Sequence, residues 1–139
     1  PALREKYGDR AVMRAIHFFN ENRRVDAQRA ALAAHDLDGF FDGVRASGLS
    51  SFRYLQNVYT TKNISEQGLS LALCLTEHFF DTHSVRGVCR VHGGGFAGTI
   101  QAYLPAESAD DYAAAMNAVF GSGATYVLHI RRTGAVKLF

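Results

Sequence analysis

The chain has 139 residues, of which 47% are apolar and 20% are charged. This composition is ordinary for a globular domain and excludes a disordered chain, which needs low hydrophobicity and high net charge. The formal net charge of +2 gives no strong attraction to nucleic acid. No stretch approaches the roughly 20 apolar residues that span a bilayer, and the two cysteines do not form a disulfide framework. We therefore expect a single cytoplasmic domain over residues 1–139 that binds neither membranes nor nucleic acid.

Helical periodicity runs through the first half of the chain. Residues 10–32 contain no glycine or proline, and Asp9 is a candidate N-cap for a helix over this range. A second helix is expected from Asp36 to Leu55, where apolar and small residues recur every three or four positions. A third is expected over residues 65–82, with Ser65 as its N-cap. Six phenylalanines of these helices are expected in the core: Phe18, Phe19, Phe40, Phe41, Phe79 and Phe80.

The second half changes to the alternating pattern that is typical of strands. Residues 85–91 and 99–104 predict two strands, and residues 125–131 with 135–139 predict a closing hairpin. Between them, Ser108 begins a fourth helix whose first turn carries two acidic residues. The order α-α-α-β-β-α-β-β favours an α+β fold of the ferredoxin-like, split βαβ kind, with helices on one face of an antiparallel sheet.

The glycine-rich stretch between the first two strands carries the most information about function. Three successive glycines, Gly93, Gly94 and Gly95, are tolerated where the chain needs a positive φ or a close approach, because they lose more backbone entropy than other residues. Successive N–H groups in such a loop can bind an anion, and a plain connection between strands is the alternative explanation. The stretch is not a Rossmann motif, because a strand follows it, and it lacks the Gly-Lys-Ser/Thr of a Walker A loop.

Other side chains give weaker indications of chemistry. The six histidines lack the spacing of metal ligands, and His17 with Glu21 is more simply a pair on one helix face. Ser50 and Ser51 are conceivable nucleophiles, but the sequence places no general base beside them. Gly48 and Ser51 are small residues in the apolar stripe of the second helix, and they permit the close approach of another helix or of a ligand.

Two segments together resemble the GHMP small-molecule kinases in their galactokinase form. Residues 89–99 read Cys-Arg-Val-His-Gly-Gly-Gly-Phe-Ala-Gly-Thr, which is similar to the family's third motif, Thr-Gly-Gly-Gly-Phe-Gly-Gly-Cys after an alternating strand. Residues 15–25 contain Ala-Ile-His and then Glu-Asn-Arg-Arg-Val, which resembles a family helix that reads Ala-x-His followed by Glu-Asn-x-Arg-Val. The stretch from Asp36 to Ser50 is similar to the helix that follows in the family.

The chain departs from the galactokinase pattern at several positions. His92, Ala97 and Thr99 stand where the family's motif has Thr, Gly and Cys. Residues 47–51 read Ser-Gly-Leu-Ser-Ser in place of Ser-His-x-Ser-Leu, and the family's Pro-Glu-Leu-Asp is absent around residues 63–67. These differences indicate a divergent branch and leave the identity of the sugar open.

The resemblance implies that residues 1–139 are the C-terminal domain of a longer, ATP-dependent sugar kinase. Family members carry their catalytic Asp, their sugar-binding motif and their phosphate loop in an N-terminal half, and none of these motifs occurs here. The implied reaction transfers a phosphoryl group from ATP to the 1-hydroxyl of galactose, with Mg²⁺ held mainly by the N-terminal half and the phosphates. The implied partners are the sugar, ATP and the chain's own N-terminal domain, and the fragment alone is expected to be inactive.

The same resemblance assigns the site residues. It implies that this chain contributes no catalytic residue and no metal ligand. It also implies that one loop faces the bound substrates, through Gly93, Gly94, Gly95, Phe96 and Gly98. We expect this loop and the small residues Gly48 and Ser51 to form one uncovered surface beside a concave, partly apolar patch.

Two other classes of function stay open. A non-catalytic ligand-binding or regulatory α+β module would have the same elements, because such folds serve many functions. Binding of single-stranded RNA on an open sheet face needs exposed aromatic residues on central strands and a basic surface. The expected strands offer Tyr103, Tyr126 and Arg131 but lack the aromatic-rich motif, so this class is disfavoured. A phosphate loop upstream in the parent reading frame would select the kinase.

Overall fold

The structure, a computed structural model, describes residues 1–96, 98–130, 133–134 and 136–137. Within these residues, four α-helices and a two-stranded antiparallel sheet make an α+β domain, which confirms the predicted fold class at this level. The elements in chain order are α1 (Ala2–Ala33), α2 (Leu37–Ser50), α3 (Gly68–Thr82), β1 (Val88–His92), β2 (Thr99–Tyr103) and α4 (Ala109–Phe120). None of the described helices is long and apolar enough to cross a membrane.

The two ends of α2 show how the sequence sets helix boundaries. The Asp36 side chain accepts a hydrogen bond from the Gly39 N–H at 2.9 Å, which confirms the predicted cap and pairs one of the donors left free at a helix start. Beyond α2 the chain continues into a π-helical segment, Ser51–Leu55, so the predicted end of the helix is confirmed although its last turn is wider. Gln56 then adopts a left-handed conformation, with φ 52° and ψ 43°, and turns the chain sharply.

The starts of α1 and α3 differ from the sequence-based expectation. Helix α1 begins at Ala2 instead of residue 10 and is interrupted by Gly8, whose φ of 78° and ψ of 167° are not helical. Helix α3 begins at Gly68 instead of Ser65. The Asn63 side chain accepts a hydrogen bond from the Ser65 N–H at 3.2 Å. This local turn competes with the helix, which therefore begins three residues later than predicted.

Strand β1 lies between helices on both of its faces. It pairs with β2 so that Cys89 is opposite Ala102 and Arg90 is opposite Gln101. Cys89 and Ala102 pack against a cluster of α3 and α4 residues, whereas Arg90 faces α2 at Gly48. Successive side chains of a strand point to opposite faces, so the expectation that helices cover only one face of the sheet is wrong.

Most of the buried apolar residues form two clusters on the α3 side of the sheet, and Val44 and Val88 are buried outside them. One joins α3 to α4 through Phe79, Phe80, Tyr112 and Met116, and the other surrounds Val91 with Val58 and Leu69.

Of the six phenylalanines predicted in the core, Phe79 and Phe80 are buried, Phe40 and Phe41 are only half-buried, and the prediction is wrong for the other two. Phe18 and Phe19 are 59% and 63% exposed. Both lie on α1, which turns His17 and Glu21 toward α2 and leaves these aromatic rings on its other side.

The predicted C-terminal hairpin is not found in the described part of the chain. Residues 125–130 are not in a strand, and Arg131, Ala135, Leu138 and Phe139 lie outside the described residues. The Thr125 N–H donates to Oδ1 of Asn117 at 3.0 Å, which ties the segment to α4 instead of to the sheet. The finer ferredoxin-like assignment requires this second pair of strands, so it stays a prediction.

Candidate functional site

The glycine loop, here residues 93–96 and 98, connects β1 to β2 at the protein surface, and Ala97 lies outside the described residues. Gly93, Gly95 and Gly98 have φ values of 69°, 74° and 111°. Because side chains disfavour this part of conformational space, the path of the loop accounts for these three glycines. These three glycines are therefore explained by the connection between the two strands, without any ligand.

The first part of the glycine loop is open to solvent. A Cβ atom built on Gly93 or Gly94 would have no atom from elsewhere in the protein within 4 Å. Gly94 is not among the glycines with positive φ, so backbone strain does not explain a glycine at this position. Main-chain N–H groups without side-chain cover are suited to an anionic ligand.

The second part of the loop is fixed against Asn57, which follows the left-handed turn at the end of the π-helical segment. Nδ2 of Asn57 donates to the Gly94 carbonyl oxygen at 3.1 Å, and the Phe96 N–H donates to the Asn57 carbonyl oxygen. A Cβ atom on Gly95 would lie 2.7 Å from Cγ of Asn57 and would also overlap its carbonyl oxygen. Gly95 is therefore required for this close approach.

The loop also has a cationic neighbour that the sequence analysis did not identify. The Arg10 guanidinium lies over the Phe96 ring, 6.0 Å from its centre, and Phe96 is 46% exposed. Arg10 belongs to α1, so the contact brings residues 86 positions apart to one surface. No periodicity or spacing in the sequence could have indicated this pair. A guanidinium at this end of the loop adds positive charge to the surface, which favours an anionic ligand.

Glu21 is the centre of a polar cluster that joins α1, α2 and β1. Its carboxylate accepts hydrogen bonds from Ser47 and Arg24, and the Arg90 guanidinium lies 3.5 Å from Oε1. Burial by itself raises the pKa of Glu21, but the Ser47 and Arg24 hydrogen bonds and the charges of Arg24 and Arg90 lower it below its usual value. Glu21 is therefore a stable carboxylate that holds the strand to the helices.

The structure places a histidine beside one of the conceivable serine nucleophiles. Nδ1 of His17 is 3.0 Å from Oγ of Ser50. Burial lowers the pKa of His17; the charges of Arg24 and Arg90 also lower it, while Glu21 opposes them. Ser50 is only 3% exposed, so a substrate has no access to this hydroxyl, and the pair serves as a contact between α1 and α2.

Gly48 of α2 and Ser51 of the π-helical segment do not form a common surface with the glycine loop, contrary to the sequence-based expectation. Ser51 is 2% exposed. A Cβ atom on Gly48 would lie 3.2 Å from Cβ of Arg90 and 3.5 Å from the Cys89 carbonyl oxygen. Gly48 is thus a packing glycine that allows α2 to approach β1.

An open depression of about 440 Å³ lies where α2, α3 and the start of β1 meet. Its lining mixes aromatic and charged side chains, among them Phe41, Arg45, Phe80, Asp81 and Arg86, and it includes no residue of the glycine loop. Cys89 also borders the depression. Burial of its thiol, with smaller effects of Glu77 and Cys74, raises the pKa of Cys89 to about 12. This thiol is therefore an unreactive packing group.

Comparisons with protein-family models, with curated proteins and with solved structures gave no match. The resemblance to the galactokinases therefore depends on the sequence segments 15–25 and 89–99 themselves. In the described residues, no group of three or more His, Cys, Asp or Glu side chains is arranged to hold a metal ion.

We expect Gly95→Ala to destabilise the protein and Gly94→Ala to leave it nearly unchanged. A side chain at Gly95 meets Asn57 and is strained by the φ of 74°, which costs about 1–2 kcal/mol for the backbone alone. Gly94→Ala meets no neighbour and should change the unfolding free energy by less than about 0.5 kcal/mol. Urea unfolding of both variants measures the difference, and equal stabilities would contradict the packing of Gly95 on Asn57.

We expect the free energy of unfolding to decrease as the pH falls below 6.5, the ordinary pKa of histidine. The pKa of His17 is lower in the folded protein, so the unfolded chain takes up the proton first and acid favours unfolding. Glu21, with its lowered pKa, acts in the same direction at more acidic pH. Urea unfolding at about pH 7.5 and pH 5.5 should show a smaller decrease for His17→Gln than for the wild type or for the exposed-site control His78→Gln. An equal decrease in all three would exclude this role of His17.

Proposed function

We propose that this chain is the C-terminal domain of a GHMP-type sugar kinase, most similar to galactokinases, and that its glycine loop contacts the phosphates at the active site. The reaction would transfer the γ-phosphoryl group of ATP to the 1-hydroxyl of galactose. A cytoplasmic location and an N-terminal domain on the same polypeptide belong to this proposal. It starts from the sequence resemblance and is supported by the geometry of the loop.

The observation that carries the proposal is the division of the glycine loop into a fixed part and an open part. Asn57 holds Gly95 and Phe96, while the main chain at Gly93 and Gly94 has no covering atom within 4 Å of a built Cβ. Fixed N–H groups stabilise charge on a transferring phosphoryl group without the cost of ordering side chains. Arg10, beside Phe96, adds a positive charge to the same surface.

The proposed step balances without any further reactant. A bond forms between O1 of galactose and the γ-phosphorus of ATP, and the bond from that phosphorus to the β–γ bridging oxygen breaks, leaving ADP. The proton of the 1-hydroxyl passes to a base, for which the resemblance assigns an Asp in the N-terminal domain. Mg²⁺, bound mainly through the phosphates and that domain, would neutralise charge on the phosphates. The part of this chain is to present N–H donors to the phosphoryl oxygens.

The exposed apolar face of α1 supports the presence of a partner domain. Phe18, Phe19, Val25 and Leu32 are each more than half exposed. Large apolar side chains concentrated along one element are characteristic of a surface that another protein surface covers. In the proposed kinase, the N-terminal domain is the natural occupant of this face. The face of α1 thus takes the role that the sequence analysis gave to Gly48 and Ser51, both of which pack against other parts of the domain.

A non-catalytic ligand-binding module is the second candidate function, and the depression of about 440 Å³ favours it. Its lining offers cationic, anionic and aromatic side chains, as small-molecule sites often do. Arg86, however, is paired with Asp38, and Arg45 with Asp42, so part of this charge is already neutralised. The two candidates differ in the surface they use, because the depression contains no residue of the glycine loop.

We expect the isolated 139-residue chain to show no galactose-dependent release of ADP from ATP. The motifs that carry the catalytic Asp and the phosphate loop in the family are not in this sequence. The polypeptide extended by its N-terminal domain should release ADP on addition of galactose in a coupled assay. Activity of the isolated chain, or the lack of any sugar-dependent activity in the extended polypeptide, would refute the proposal.

We expect Gly94→Val in the extended polypeptide to reduce activity more than stability. The valine side chain would project into the open space that the proposal reserves for phosphate, and it meets no protein atom there. The variant keeps its main-chain N–H, but the side chain would hold the phosphate away from it. We expect kcat to fall by about 100- to 1,000-fold, as it does when one pre-arranged donor is lost. Thermal unfolding measured beside the ADP assay separates the two effects, and Gly68→Val, at another uncovered glycine, is the control. Full activity of Gly94→Val would exclude the loop from the active site.

A further inference from the structure

The hydrogen bonds of Asn57 fix the glycine loop on both sides of Gly95. Its side-chain N–H donates to the Gly94 carbonyl oxygen at 3.1 Å, and its own carbonyl oxygen accepts the Phe96 N–H. We propose that Asn57 is a positioning residue that fixes the loop so that the main chain at Gly93 and Gly94 stays open to a phosphate group.

The buried Oδ1 of Asn57 has no hydrogen-bond partner among the described residues, which indicates that asparagine is present to bind the loop and not to stabilise the core. Asn57 is 1% exposed. A buried acceptor without a partner destabilises a fold. Leucine has nearly the same shape and would not incur this cost, but it has no N–H for the Gly94 carbonyl. Asparagine is therefore required at this position for its side-chain N–H.

The chain in front of Asn57 gives it a fixed position. The π-helical segment Ser51–Leu55 begins at a buried serine, 2% exposed, and ends at the left-handed Gln56. π-Helical turns within helices are frequent at functional sites. The neighbouring Val58 is 3% exposed and belongs to the cluster around Val91. Asn57 is thus held on a packed part of the domain, which is what a positioning residue requires.

The catalytic consequence rests on the proposed function. If the loop N–H groups act on the transferring phosphoryl group, loss of the Asn57 bond displaces them from the reacting atoms. Displacements on the order of 1 Å reduce rates by about 100-fold. The sugar is bound by other residues in the proposed enzyme. The expected signature is therefore a decrease in kcat with little change in the KM for galactose.

Amide hydrogen exchange on the 139-residue chain tests whether Asn57 holds the loop. In Asn57→Leu we expect the amide of Phe96, which donates to the Asn57 carbonyl oxygen, to exchange about tenfold faster than in the wild type. Local opening of the loop then no longer breaks the side-chain bond to the Gly94 carbonyl oxygen. Asn57→Ser gives the same test if the larger leucine does not fit. The control is Thr76→Val, which removes a buried hydrogen bond of 2.8 Å to Tyr112 in the other core cluster. Loop exchange no faster than in Thr76→Val would overturn the proposal.

Kinetics of the extended polypeptide test whether the held conformation matters for the reaction. We expect Asn57→Leu to lower kcat by about 10- to 100-fold, with the KM for galactose within about twofold and Thr76→Val close to the wild type. Faster exchange with an unchanged kcat would overturn the positioning role in catalysis. If the wild-type extended polypeptide releases no ADP with galactose, the proposed function fails, and the exchange rates alone then decide whether Asn57 holds the loop.

Discussion

The close approach of α2 to β1 at Gly48 is the contact on which the rest of the domain depends. With only 3.2 Å between the built Cβ of Gly48 and that of Arg90, a side chain at this position would require Arg90 or the helix to shift by a few tenths of an ångström. This approach brings Ser47 and Arg90 to the same carboxylate, that of Glu21 on α1. One small residue thereby allows three elements to share a single polar cluster.

The same approach sets the position of the glycine loop. Helix α2 leads directly into the π-helical segment. The left-handed Gln56 then turns the chain so that Asn57 lies against the glycine loop that follows β1. There Asn57 takes the place that a side chain on Gly95 would need. The loop is therefore neither freely mobile nor a simple tight turn, because half of it is bonded to the packed domain and half is left open. That combination suits a loop that must offer main-chain donors to an anion.

Helix α1 has one side that is bonded to α2 and another that is apolar and exposed to solvent. Toward α2, His17 and Glu21 make specific hydrogen bonds that fix the helix. Away from α2, Phe18 and Phe19 remain more than half exposed. Burying two such rings would contribute several kcal/mol in a partner interface. This asymmetry fits a helix that lies between two domains, which is the role the proposed kinase gives it.

The sequence by itself determined the local features: helices followed by strands, the Asp36 cap, the end of the α2 stretch near Leu55 and the glycine connection between β1 and β2. These follow from periodicity, capping and backbone freedom, which act over a few residues. Only the tertiary structure decided that Asn57 binds the loop, that His17 meets Ser50 and that helices cover both faces of the sheet. Those contacts join residues 33 or more positions apart, and no spacing rule connects such residues until packing brings their elements together.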